Sequence, residues 1–326
     1  MSCVSFLCYF LSFVIRHYYP KSNSIHSLRT IAISSIWFAI SVSFTIYNKL
    51  LMNTWFEGIF KFALINTGVH MIVKFLISRL YQCIYKLEIS DIPKDSMFIN
   101  TTLLLMGIGL TTAGDVALSN ESVMDLPIAL YTTIKASSLI FTYIFGICLR
   151  IETFSFSTTV IIILISGGIM LAVAESSSLN SWIGVVFGVA ASAMGGVRWV
   201  LLQMLLFSDM KSDTNPVFIS IYRFSPYTLL FVPVAIMLEG TTLYQTFKDQ
   251  NFTVILEIGS LSLIGGVISF CLIAVELELV KLTSSLTLAV LGQIKEVVQI
   301  LLSLLIFKDT ITIQSGIGIG IAIVVC

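Results

Sequence analysis

The sequence is poor in charged residues, since only 11% of its 326 residues are Asp, Glu, Lys or Arg, whereas 57% are apolar. A soluble domain carries about 25% charged residues, so this composition indicates a polytopic membrane protein. Acidic and basic residues balance at eighteen each. No basic tract with interleaved aromatic residues is present, and this argues against a nucleic-acid partner.

Cysteine and histidine are scarce and carry no catalytic or metal pattern. The six cysteines stand singly, without the spacing of a disulfide framework or a zinc site, and are predicted to be apolar filler. Of the three histidines only His70 lies in an apolar segment, and it is predicted to be a satisfied core residue. The HExxH and GxSxG motifs and paired intramembrane aspartates are also lacking. We therefore expect no enzyme, no metal and no cofactor.

Long apolar runs fill most of the chain, and each is close to the length that crosses a bilayer as a helix. They predict an all-α membrane protein of about ten transmembrane helices, at Thr30–Met52, Gly58–Leu80, Met97–Ala117, Val123–Leu149, Phe156–Ala174, Trp182–Phe207, Val217–Leu238, Phe252–Val275, Leu282–Phe307 and Ile311–Cys326. Residues 1–29 are expected to form a cytosolic or peripheral extension. Within it, Met1–Ile15 is either a peripheral anchor or a disordered stretch. The tenth span is either short and terminal or truncated at Cys326.

The loops give the orientation. One side holds nine basic residues and the other three: Arg16, Lys21, Arg29, Arg79, Lys86, Lys94, Arg150, Lys211 and Lys281 against Lys61, Lys248 and Lys308. The positive-inside rule then places the N-terminus in the cytosol.

Two halves of five spans, residues 30–174 and 182–326, would start on opposite sides of the membrane. This is the arrangement of inverted repeats in secondary transporters, and we expect the halves to form one transporter domain. Lys135 in the fourth span and Lys295 in the ninth stand at matching depth, which supports the repeat.

Basic residues outnumber acidic ones at membrane depth. The acidic residues there are Glu296, with Asp115 and Glu257 near predicted helix ends, and the basic ones are Lys49, Lys74, Lys135, Arg198, Arg223 and Lys295. A charge at that depth needs a partner or a cavity. An anionic substrate bearing phosphate would provide the missing negative charge.

Several of these cations have a structural alternative. Lys49 and Lys74 could snorkel to the interface, and Arg198 could bridge two helices. Arg223 could be an interfacial anchor, or it could act with the neighbouring Tyr222 to place a base or sugar.

Lys135 and Lys295 are the strongest candidates for phosphate contact because both are predicted to lie mid-helix. Tyr131 lies one turn before Lys135, and Gly292, one turn before Lys295, would let a ligand or another backbone approach.

In the sixth span a small residue recurs every fourth position, which predicts a helix-packing face: Gly184, Gly188, Ser192 and Gly196.

These residues resemble the triose-phosphate-translocator domain of the drug/metabolite transporter superfamily, within the nucleotide-sugar transporters of solute carrier family 35. The resemblance runs from Leu28 to Cys326. Its landmarks are Thr45-Ile46-Tyr47-Asn48-Lys49, Leu130-Tyr131-Thr132-Thr133-Ile134-Lys135, Gly195-Gly196-Val197-Arg198-Trp199, Thr283-Ser284-Ser285-Leu286-Thr287 and Lys295-Glu296-Val297. The third and fourth of these look most like the branch related to the GDP-fucose transporters.

The resemblance implies exchange of a cytosolic nucleotide sugar for a lumenal nucleoside monophosphate in the Golgi or an early secretory membrane. GDP-fucose is the first candidate. Sugar-phosphate members of the family bind phosphate with a Lys-Arg pair on the ninth helix. Here Lys295 matches the lysine but Glu296 replaces the arginine, which argues against triose phosphate. A sugar-phosphate or other organic-anion carrier and a non-transporting membrane regulator remain as alternatives, and a homodimer is left open.

Overall fold

The computed structural model describes residues 23–53, 55–85, 101–126, 131, 134–173, 182–210, 215–248 and 250–295. All regular structure in these ranges is helical. The α-helices are α1 Asn23–Asn53, α2 Ala63–Tyr85, α3 Thr101–Asp125, α4 Ser138–Cys148, α5 Phe156–Val173, α6 Trp182–Asp209, α7 Pro216–Thr228, α8 Phe231–Phe247 and α9 Phe252–Leu282, followed by α10 at 285–295. A 3-10 turn, Trp55–Gly58, lies between α1 and α2.

The helices have the length and composition of membrane spans. Five of the described helices (α1, α2, α3, α6 and α9) could each cross a bilayer, and α7 with α8 would add a sixth as a bent pair. Large apolar side chains point outward, among them Trp182 and Met237 at 73% and 81% exposure. A lipid-facing surface accounts for that exposure. The protein is thus an all-α membrane protein, as predicted. The tenth predicted span lies outside the described residues, so the count of ten and the two repeats stay predictions.

The fourth predicted span is wrong in its bounds. Instead of one helix over Val123–Leu149, α3 continues to Asp125 and Leu126 forms a bend; beyond it, residue 131 and the segment Ile134–Cys148 are described as helical, with a turn at Ser137. Pro127 comes two residues after the end of α3, and proline disfavours a helical conformation in the residue before it, Leu126. Lys135 lies just before a turn at Ser137, and part of its helix is outside the described residues, so its predicted position in the middle of a helix stays a prediction.

The seventh predicted span is also interrupted. Instead of one helix over Val217–Leu238, the chain forms α7 and α8, which meet at 46°. Pro226 lies in the last turn of α7 and removes a backbone donor there.

The small-residue face of α6 packs against α3 and α4. A Cβ added to Gly188 would lie 2.8 Å from Ser122 Oγ, and one added to Gly196 would lie 2.8 Å from the backbone nitrogen of Thr142. Only small residues allow helices to approach this closely. The predicted packing face is confirmed.

Helix α9 packs against α1 at two widely separated levels. Near one end, Arg29 Nη2 lies 2.6 Å from Glu278 Oε1. Towards the other, the Tyr47 hydroxyl donates a 2.7 Å hydrogen bond to the Leu261 carbonyl. These contacts fix the antiparallel register of the two helices.

The N-terminus of α2 is capped by a carboxylate from α8. The two oxygens of Glu239 accept hydrogen bonds from the backbone nitrogens of Leu64 and Ile65, at 3.1 and 2.8 Å. A carboxylate there satisfies free amides and complements the helix dipole.

Candidate functional site

Asp115 joins two of the predicted cations inside the bundle. Its Oδ1 pairs with Lys135 Nζ, and its Oδ2 lies 3.2 Å from Arg198 Nη2. Lys135 also donates to Ser119 Oγ at 2.8 Å. A Cβ on Gly195 would come within 3.2 Å of the carboxylate, so this glycine leaves room for it. Asp115 lies in the middle of α3, and the prediction that placed it near a helix end is wrong because α3 extends to Asp125.

A second carboxylate, Glu276 on α9, lies among further cations. Its Oε1 accepts a 3.1 Å hydrogen bond from the indole nitrogen of Trp37. It interacts electrostatically with Arg198, Lys295 and Lys74. Arg198 therefore interacts with both carboxylates. It bridges helices α6 and α3, which is one of the two roles predicted for it, and it connects the two parts of the site.

Lys295 lies at the end of described α10 and reaches towards α1. Its Nζ is 3.4 Å from Ser41 Oγ and 5.8 Å from the centroid of the Trp37 ring. Within the described residues no carboxylate oxygen comes within 4.0 Å of this Nζ. Glu296, the residue that departs from the sugar-phosphate pattern, lies outside the described residues.

Lys74 belongs to the same site, although the sequence also allowed its side chain to snorkel to the membrane interface. It lies in the middle of α2, half-buried, with its Nζ 3.9 Å from Met71 Sδ. Its electrostatic partners are Glu276 and Arg198, so the side chain faces the other charges in the bundle.

Together these residues form what we call the charge cluster: Lys74, Asp115, Lys135, Arg198, Glu276 and Lys295. Its members come from α2, α3, α6, α9, α10 and, for Lys135, the described helical residues just before α4. Four cations face two carboxylates, so the cluster has an excess of positive charge. Such an arrangement can bind an anion, because buried charge is stable only when it is paired.

Tyr222 and Arg223 have other partners. Arg223 Nη1 pairs with Oδ1 of the fully buried Asp209, whose Oδ2 accepts a 2.7 Å hydrogen bond from Ser220 Oγ. The guanidinium of Arg79 lies 4.0 Å from the centroid of the Tyr222 ring. These contacts account for both residues structurally, and their roles in placing a base or sugar stay predictions.

Three further predicted site residues are only partly tested. No described atom would lie within 4 Å of a Cβ on Gly292, so there is open space one turn before Lys295. Tyr131 is partly buried, one turn before Lys135 in sequence. Lys49 belongs to α1, but its side chain lies outside the description. The substrate roles of all three stay predictions.

His70 is buried, as predicted, and packs on Phe44 with ring centroids 5.5 Å apart. Its Nε2 has no hydrogen-bond partner among the described residues, so for that atom the prediction of a satisfied histidine stays a prediction. In the described part of the chain no three His, Cys, Asp or Glu side chains come together as a metal site.

Comparison with known protein families identifies the family of this helical bundle. The sequence profile of the Triose-phosphate Transporter family matches residues 28–326, which is nearly the whole chain. The chain belongs to the triose-phosphate transporter family. This is a family of membrane transporters, not of enzymes, in agreement with the prediction from sequence.

Curated relatives cover most of the chain at low identity. A probable sugar phosphate/phosphate translocator of Arabidopsis thaliana is 28% identical over 91% of this chain and 71% of its own. The UDP-uronic acid transporter 1 of the same plant is 24% identical over 89% and 91%. UDP-galactose transporter 1, also from Arabidopsis, is 24% identical over 89% and 83%.

A solved crystal structure shares the fold. It aligns with a TM-score of 0.59 at 13% identity, over 93% of this chain and 96% of its own.

Glu276 was not among the residues predicted from the sequence, because the predicted end of the eighth span came too early. The eighth span was predicted to end at Val275, one residue earlier, whereas α9 runs to Leu282. The apolar residues after Glu276 (Leu277, Leu279 and Val280) are fully buried and could have signalled that the helix continues.

Proposed function

We propose that this protein is a secondary antiporter that exchanges a nucleotide sugar for a nucleoside monophosphate by alternating access. We place it in the Golgi or an early secretory membrane, with its N-terminus in the cytosol. The observation that carries the proposal is the charge cluster, whose described members have an excess of positive charge that an anionic substrate would neutralise.

The phosphates of the substrate would bind Lys295 and Lys135, with Arg198 between them. The described residues leave open space at Gly292, which would give the ligand room beside Lys295. Tyr131, Tyr222 and Arg223 would place the base or sugar, and Lys49 would add a further cation. Exchange coupling follows if the empty, positively charged site resists reorientation without an anion.

GDP-fucose is the first candidate substrate. It rests on the resemblance of the stretches Gly195–Trp199 and Thr283–Thr287 to the branch related to GDP-fucose transporters. Two relatives are named as transporters of UDP-linked sugars, and this supports the nucleotide-sugar class without supporting the guanine base.

A sugar phosphate is the second candidate. Several relatives are named as probable sugar phosphate/phosphate translocators, among them the one at 28% identity. The replacement of the family's arginine by Glu296 argues against triose phosphate within that class. A third candidate, a non-transporting regulator, would share the fold without moving any substrate.

Counterflow in proteoliposomes separates the three candidates. Purified protein is reconstituted into vesicles preloaded with nucleoside monophosphate or inorganic phosphate, and uptake of labelled nucleotide sugars and sugar phosphates is compared. We expect uptake of a nucleotide sugar that depends on internal nucleoside monophosphate. Uptake of sugar phosphate alone would favour the second candidate, and exchange of no anion at all would favour the regulator.

Lys295→Ala tests the central residue. We expect substrate affinity to fall by about thirtyfold or more, because losing one partner of a desolvated charge pair costs roughly 2 kcal/mol or more. Lys295→Arg keeps the positive charge, so its substrate affinity tests whether the site needs a compact ammonium group. Lys248→Ala, at an exposed position after α8, is the matched control. Full affinity in Lys295→Ala would remove this residue from the site.

A further inference from the structure

Glu276 is a carboxylate that belongs to the charge cluster without being committed to one cation. Its hydrogen bond comes from a neutral donor, Trp37. Its electrostatic partners are Arg198, Lys295 and Lys74, and none of the three has an atom within salt-bridge distance of it. Asp115, in contrast, is paired with both Lys135 and Arg198. Glu276 therefore lowers the positive charge of the whole site rather than neutralising a single neighbour.

The described charges of the cluster can be counted. With every side chain in its ordinary ionised state, its four cations and two carboxylates leave a net charge of plus two, without Lys49 and Glu296, whose side chains lie outside the described residues. A phosphate monoester carries nearly two negative charges at neutral pH, and the pyrophosphate of a nucleotide sugar carries the same. A nucleoside diphosphate has one more ionised oxygen. Among the described charges of the bundle, that additional negative charge would be left without a partner, and an unpaired charge there is costly.

We propose that Glu276 is a specificity-determining residue that makes the site select dianions over trianions. The preferred ligands are then nucleotide sugars, nucleoside monophosphates and sugar phosphates, and nucleoside diphosphates are disfavoured. This inference rests on the proposed function, because it concerns how the same site chooses among phosphorylated anions. Removing the charge of Glu276 raises the balance to plus three and favours the trianion.

The experiment measures competition by two nucleotides of the same base. Labelled substrate uptake into preloaded proteoliposomes is inhibited with GMP or with GDP, and the ratio of their inhibition constants is compared between variants. For Glu276→Gln we expect the ratio to shift towards GDP by at least about tenfold, since one charge at close range in a poorly solvated site is worth more than that. If uracil proves to be the base, UMP and UDP replace the guanine nucleotides.

Charge compensation distinguishes selectivity from a structural effect. Lys74→Gln alone lowers the balance to plus one and should shift the ratio towards the monophosphate. The double variant Lys74→Gln/Glu276→Gln restores plus two, so its ratio should return towards the wild-type value. Glu278→Gln is the matched control on the same helix, since Glu278 pairs with Arg29 and Lys281. Its ratio should not change.

The outcomes separate this inference from the proposed function. A wild-type protein that exchanges no anion overturns the proposed function. A wild-type protein that exchanges substrate, combined with an unchanged ratio in Glu276→Gln, overturns only the role of Glu276. If Glu276→Gln does not reconstitute, Lys74→Gln decides, and an unchanged or opposite shift in that variant overturns the inference.

Discussion

Asp209 and Arg223 offer a sharp test of how charge is accommodated at the end of α6. Asp209 is fully buried, and the Arg223 side chain is only 10% exposed. Both carboxylate oxygens are used, one by Arg223 and the other by Ser220. Changing Asp209 to Asn keeps the shape of the side chain but removes its charge, which leaves the guanidinium buried without an anionic partner among the described residues.

The expected cost follows from that burial. Breaking a buried pair by removing one partner destabilises a protein by about 3–5 kcal/mol. At roughly 2 °C per kcal/mol for a chain of this length, the melting temperature in detergent should fall by about 6–10 °C. Asp209→Asn/Arg223→Met removes both charges, and replacing a buried ion pair by neutral groups is often close to neutral. The double variant should therefore recover most of the lost stability.

The assay is thermal unfolding of the purified protein in detergent, with monodispersity checked by gel filtration. A neutral effect of Asp209→Asn, or a double variant as unstable as the single one, would refute the reasoning. Substrate exchange by the double variant answers a second question. Retained exchange would show that Arg223 is structural, whereas lost exchange in a stable protein would support its predicted contact with substrate.

Two further predictions concern packing and capping. Gly196→Ala should lower stability by about 1–3 kcal/mol, because its Cβ would meet the backbone of Thr142, and thermal unfolding checks this. Gly167→Ala is the control, since no described atom lies within 4 Å of the added Cβ, and equal effects at both positions would contradict the packing argument. Glu239→Ala should cost about 1–2 kcal/mol through loss of the cap on α2. Glu257→Ala, at an exposed position on α9, should leave the melting temperature unchanged, and a matching loss there would count against the cap.

The membrane class and most helix positions could be predicted because apolar length is a local property of the sequence. The packing face of α6 could be predicted as well, because residues four apart in sequence lie on the same face of a helix. The interruptions within the predicted fourth and seventh spans fall where proline breaks the pattern. Pro127 and Pro226 stand in runs apolar enough to look continuous, and hydropathy alone did not register the breaks.

The site was predictable only in part. Lys135, Arg198 and Lys295 stood out because charge is rare at membrane depth, and the structure brings all three into one cluster. Their carboxylate partners did not stand out. Which helix Asp115 faces and where Glu276 lies depend on helix rotation and on the exact end of α9, and neither is encoded by local periodicity. Arg223 was also singled out because charge is rare at that depth, but nothing in the sequence indicated that it pairs with Asp209.

The contacts between helices also bear on how such a bundle could open. Helix α1 is attached to α9 through Arg29 and Tyr47, and α3 is attached to α6 through Asp115 and its close packing on the glycines. In both pairs one helix comes from the first sequence half and the other from the second. A hinge between the two halves would have to break both attachments at once. Rigid bodies that each combine helices from the two halves would keep these attachments intact, so the moving parts need not coincide with the predicted repeats.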